Sequence, residues 1–206
     1  MGSNQLGAER RVGASAESAH RIGVVGIGSV LMGDDGIGPY AVELLDAGWA
    51  LPPEVLLQDA GTPGPELVQF LMDLDAVIVI DTVRATGRAG ELRFYRRDDV
   101  MCMPTAPRLS PHDPDLRQAL LTAELAGRAP TQVLVVGVVP GRVELGTELS
   151  PEVRAALPAI GAAVRAELER LGAPAVRRSA PRTPRIWWER PDPDSDGARQ
   201  VHAAEA

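Results

Sequence analysis

The 206 residues suit one ordinary domain with tails, and a hydrophobic content of 45% is enough for a substantial core. The formal charge of −7 comes from the central residues 21–172, which carry −8 against +1 in residues 173–206, a poor surface for a phosphate backbone, so no nucleic-acid partner is expected. No apolar run approaches the roughly 20 residues that span a bilayer. The opening "MGSNQLGAERRVGASAESAH" also lacks the apolar middle of a signal peptide, so a cytoplasmic protein without membrane contact is expected. Cys102 is the single cysteine, which excludes an internal disulfide and any cysteine-cluster metal site.

Residues 1–20 are small and polar with no apolar period and read as a disordered tail. From Arg21 onward, β-branched runs alternate with helical periods. "RIGVVGIG" reads as a strand, followed by a helix with Ile37, Tyr40, Ala41, Leu44 and Leu45 on one face. "EVLLQDAG" is a second strand that runs into the turn "GTPGP" and a short helix through Leu67, Phe70 and Leu71. "AVIVIDTV" is the most apolar run and reads as a central strand buried on both faces, stopping at Asp81. "ELRFYRR" alternates Leu92 and Phe94 with Glu91, Arg93 and Tyr95, the pattern of an edge strand with one wet face.

In "SPHDPDLRQALLTAEL", Asp113 can cap a helix, Pro114 fits its first position, and Leu116, Leu120 and Ala123 follow at helical spacing. "QVLVVGVVP" is a last buried strand. A long helix follows from Ser150 as cap and Pro151, with Val153, Leu157, Ile160, Val164, Leu168 and Leu171 as its buried stripe and a kink expected at Pro158. Strands separated by helices imply a three-layer α/β fold, a mostly parallel twisted sheet of about five strands with helices on both faces, over residues 21–172. Residues 173–206, rich in Pro, Arg and Asp, read as a second disordered tail with Trp187 and Trp188 as its apolar feature.

Ligands of open α/β sheets bind beyond the carboxyl ends of the strands, where loops converge. Asp34 and Asp35 follow the first strand, Asp59 ends the second, Asp81 ends the third and His112 lies in the loop leaving the fourth, so all should gather at one edge. "GIGSVLMGDDGIG" begins like a dinucleotide loop, yet Leu31 stands where the third glycine belongs. Asp34 and Asp35 would meet a pyrophosphate at the helix start and repel it, so no nucleotide is expected. Carboxylates with one imidazole instead form a mixed oxygen and nitrogen set suited to a divalent transition metal. The chain has no H-E-x-x-H or G-x-S-x-G motif, and the apolar "VMCMP" raises a thiol's pKa, which argues against a Cys102–His112 pair.

The segments "GIGSVLMGDDGIG", "DAGTPGPEL", "VIVIDTV", "SPHDPDL" and "VLVVGVVP", in this order over residues 22–172, resemble those of the hydrogenase maturation proteases. The resemblance implies an endopeptidase that removes the C-terminal extension of a [NiFe] hydrogenase large-subunit precursor once nickel is inserted. It implies metal ligands at Asp35, Asp81 and His112, and Ni2+ carried by the precursor rather than held permanently by the enzyme. Asp35 or Asp81 would act as general base on water, or the metal would polarise the carbonyl. Gly28, Ser29, Asp34, Asp59, Gly61 and Thr62 would form the loops that meet the substrate. Ser29 departs from the family's usual asparagine and loses its amide. A nickel-sensing binding protein that holds the precursor without cutting it is the alternative.

Overall fold

The computed structural model describes residues 21–102 and 116–189. Five strands form one sheet: β1 (Ile22–Ile27), β3 (Val55–Gly61), β4 (Ala76–Thr82), β5 (Leu92–Arg96) and β6 (Gln132–Val138), in the order β3-β1-β4-β6-β5. All neighbours are parallel except β5 with β6. A short antiparallel ladder joins β2 (Trp49–Ala50) to β7 (Val176–Arg177).

Strand alternation sends successive β4 side chains to opposite faces. Ile78 and Ile80 pack with Ile22 and Val24 of β1 against α1 (Ile37–Gly48) and α5 (Pro151–Arg170). Val77 and Val79 pack with Val25 and Ile27 against α2 (Leu67–Leu71) and α4 (Leu116–Leu125), with Val100 of α3 (Arg97–Cys102) completing that layer. Helices thus cover both faces, as the pattern of elements predicts, with "AVIVI" wholly buried in the central strand.

Two local expectations change. Phe94 is 54% exposed, while Tyr95 packs on the α2/α4 layer. β5 is the outermost strand, with a sheet neighbour only in β6, so its alternation does not decide burial. The long helix runs past Pro158 as one 20-residue element, with Val153 and Ala156 before it and Ile160 and Val164 after it all buried. Ser150 occupies the cap position of that helix but makes no side-chain cap bond, because its hydroxyl is turned to Asp34.

The disordered tail expected from Ala173 is corrected for residues 173–189. After β7 the chain runs antiparallel to α1, from its end towards its start. Arg178 and Arg182 donate backbone N–H groups to the carbonyls of Gly48 and Ala47 at 3.0 and 2.8 Å. Arg185 N–H donates to Glu43 at 2.9 Å, and Glu189 bonds both Tyr40 and Arg154. Trp188 is buried edge-on against Tyr40, with ring centroids 5.1 Å apart, whereas Trp187 stays 63% exposed. The composition of this strap is tail-like, but its arginines find acidic partners on α1 and its one buried indole finds Tyr40. The remaining tail expectations, residues 1–20 and 190–206, and the cap at Asp113–Pro114 lie outside the described residues.

Candidate active site at the carboxyl edge of the sheet

The loop after β1 is shaped by close backbone approach. Gly28 has φ +130°, and a Cβ there would lie 1.8 Å from the carbonyl oxygen of Asp35. A Cβ on Gly38 would lie 2.3 Å from the Ile27 carbonyl, so α1 rests directly on the end of β1. These glycines let a helix and strand touch at the turn.

A short 3-10 turn, Gly33–Gly36, leads into α1 and holds both aspartates, which point to different partners. Asp35 is half-buried and faces the end of β4. Its Oδ2 accepts the Ser29 backbone N–H at 2.8 Å and its Oδ1 accepts the Thr82 hydroxyl at 3.1 Å. Asp81 is half-buried at the end of β4, and its Oδ1 accepts the Thr82 backbone N–H at 2.7 Å. A single residue therefore links the two carboxylates, which come from positions 46 apart in the chain. Ser29 contributes a main-chain donor, a bond that does not depend on its side chain.

Asp34 has a different setting. It is fully buried and accepts hydrogen bonds from Gly141 N–H at 2.8 Å, Arg142 N–H at 2.8 Å, Ser150 N–H at 2.6 Å and the Ser150 hydroxyl at 2.9 Å. An ionised carboxylate is tolerated out of water when its lone pairs are filled in this way. Its oxygens hold the loop after β6 and the start of α5 against the first loop, so Asp34 builds the rim on which Asp35 sits.

The loop after β3 joins the same edge. Asp59 is exposed, its Oδ1 accepts the Gly61 N–H at 2.9 Å, and the Gly61 carbonyl accepts the Gly28 N–H at 2.8 Å. Gly61 adopts φ +55°, the left-handed turn that glycine takes without strain. Thr62 follows it on the surface. His112 lies outside the described residues, and among the described residues no three His, Cys, Asp or Glu side chains form a metal-sized group. A cavity of about 720 Å³ opens at the opposite, amino edge, between Arg96, Arg97, Glu124, Gln132 and Arg170, and none of the candidate residues line it.

Thr82, Gly141, Arg142 and Ser150 are the site residues that sequence reasoning missed. Thr82 directly follows Asp81, so its place was legible. The partners of Asp34 are three backbone N–H groups and the Ser150 hydroxyl, all more than a hundred residues away, for which the sequence carries no local sign.

A mostly parallel α/β sheet thus carries two aspartates, linked through Thr82, at its carboxyl edge, where ligands of open α/β folds bind. A family model described as hydrogenase maturation protease (HycI) matches residues 39–167. The chain is 35% identical over 164 residues to the hydrogenase expression/formation protein HupD of Bradyrhizobium diazoefficiens, covering 79% of this chain and 85% of that one. It is 31% identical over 160 residues to the hydrogenase 2 maturation protease of Escherichia coli, covering 78% of this chain and 98% of the relative. The solved structure of the hydrogenase maturating endopeptidase HybD from E. coli superposes with a TM-score of 0.72 at 32% identity, over 77% of this chain and 98% of that one. The chain belongs to the hydrogenase maturation protease family and is an endopeptidase of that kind. No described helix is long and apolar enough to cross a membrane.

Proposed function

We propose that the protein cuts the C-terminal extension from a nickel-loaded [NiFe] hydrogenase large-subunit precursor, reading the nickel through Asp35, Asp81 and His112. The observation that carries this reading is the linkage of Asp35 and Asp81 through Thr82 at the sheet edge where ligands of open α/β folds bind. α4 supports the third ligand. It packs on the Asp81 side of the sheet and runs towards the amino edge, where Arg97 meets Glu124 and Arg128 meets Asp73. Its first residue, Leu116, therefore stands towards the carboxyl edge, four positions after His112.

Two carboxylates and an imidazole are an incomplete set for a divalent transition metal, which leaves positions for thiolates that already hold nickel in the precursor. Docking the loaded metal would bring the adjoining peptide bond within reach of a carboxylate. Each oxygen of an ionised carboxylate has two acceptor directions, so Asp35 keeps capacity beyond its bonds to Ser29 and Thr82 to orient a water or a metal. One of the two aspartates then takes a proton from the attacking water. The protein works in the cytoplasm in this reading.

The test mixes purified protein with nickel-loaded and nickel-free precursor and follows the precursor's mass. Loss of a C-terminal peptide from the loaded form alone is the expected result. Equal cutting of both forms would remove the nickel-reading role, and stable binding without any loss of mass would point to a holding protein instead.

A further inference from the structure

The site just described contains a residue that belongs to neither carboxylate pair nor loop motif, yet touches both acids. Asp81 and Thr82 are consecutive in β4, so their side chains leave the strand on opposite faces. Asp81 shares its face with Val77 and Val79, and Thr82 shares its face with Ile78 and Ile80, beneath α1. Asp35 arrives on the α1 side, in the turn that opens that helix. Thr82 meets it there with its hydroxyl at 3.1 Å, while its own N–H turns back to Asp81 at 2.7 Å.

We propose that Thr82 is a positioning residue that fixes the mutual placement of Asp35 and Asp81, so that both carboxylates present to the same point of the precursor. This rests on the reading that those two aspartates engage the substrate. A threonine suits the task. Its β-branch leaves few χ1 choices in a strand, which holds the hydroxyl in one direction. The N–H bond to Asp81 survives any substitution except proline, so the side chain's own contribution is the bond to Asp35. Asp35 has a second anchor in the Ser29 N–H, and losing the hydroxyl should therefore loosen its carboxylate without releasing it.

The experiment compares T82V, T82S and D35N with the unaltered protein, measuring kcat and KM on nickel-loaded precursor together with Tm. T82V keeps the side-chain shape and removes the donor, and T82S keeps the donor. Loss of one charge-assisted bond that matters in the transition state predicts about a tenfold fall in kcat for T82V, with KM within about twofold and Tm nearly unchanged. T82S should recover most of that rate. A merely structural role would lower Tm and would not follow the hydroxyl.

Unchanged kcat in T82V, an equal loss in T82S, or an effect confined to KM would overturn the proposal. D35N distinguishes a misplaced site from a Thr82 without a positioning role. If D35N processes precursor normally, the assigned site is wrong. If D35N is inactive while T82V works normally, only the positioning role of Thr82 fails.

Discussion

Asp34 and Ser150 lie 116 positions apart and are bonded twice, through the Ser150 N–H at 2.6 Å and its hydroxyl at 2.9 Å, with the Asp34 carboxylate fully buried. The hydroxyl that would ordinarily cap α5 is spent on this aspartate. With Gly141 and Arg142 donating as well, one carboxylate gathers three separate stretches of chain behind the candidate site.

Replacing Asp34 by alanine removes the acceptor of four donors at once, two of them on buried Ser150. The expected loss is about 2–4 kcal/mol, the cost of leaving the two buried Ser150 donors unsatisfied. Urea denaturation followed by circular dichroism measures it. D34N should lose less, because one amide oxygen still accepts, although its NH2 group must then face donors. A D34A protein as stable as the parent would show that these bonds contribute nothing net.

Asp35→Asn and Asp81→Asn remove a charge from the half-buried rim without emptying space. Each should slow precursor processing by at least about a hundredfold, the usual contribution of a positioned general base or charge, with little change in Tm. Timed gel or mass analysis of the precursor gives the rate. Normal rates in both variants would place the chemistry elsewhere.

The strap from Ala173 to Glu189 is expected to stabilise the fold. Trp188 is buried against Tyr40, and Glu189 bonds Tyr40 and Arg154. W188A should cost about 3–5 kcal/mol, as large-to-small changes of buried aromatics do, read as a lowered Tm. Burial, with the bond to Glu189 next, pushes the Tyr40 phenol up to about 12. The neutral phenol is therefore favoured in the folded chain. Its share of stability is complete below pH 10 and disappears as pH climbs through about 12, a loss that Y40F should not show.

Glu167 gives the acid-side counterpart. Burial pushes its carboxyl up, but hydrogen bonds from Arg170 and Arg96 outweigh it and hold the group down at about 2. A depressed carboxyl stabilises the fold fully above its ordinary value of 4.5 and loses that share as pH falls towards 2. Allowing for solvent around the half-exposed arginines, the amount is about 2 kcal/mol. Denaturant midpoints between pH 5 and pH 2 should fall less steeply in E167Q than in the parent.

The sheet was legible because its signal is repetitive. "GVVGI", "AVIVI" and "VLVVGV" are continuous apolar runs that only a doubly covered strand can use, and the helices between them carry clear faces. The positions of Asp35 and Asp81 at one edge followed from that topology alone. Tertiary pairing without periodicity was hidden. Two adjacent aspartates look equivalent in sequence, and only the return of Ser150 separates the one that holds the rim from the one that faces Thr82. The strap was hidden for a related reason, since its stabilising contacts are single arginines and one indole spaced along α1 rather than a repeating apolar face.

The bonds from Asp34 to Ser150 and from Tyr40 to Glu189 have a bearing on how the protein is born. A ribosome delivers Asp34 116 positions before Ser150, so this carboxylate waits for its clamp until the start of α5 has been made. The rim behind the candidate site is therefore closed by a late-made helix, and its assembly follows that of the elements that carry Asp35 and Asp81.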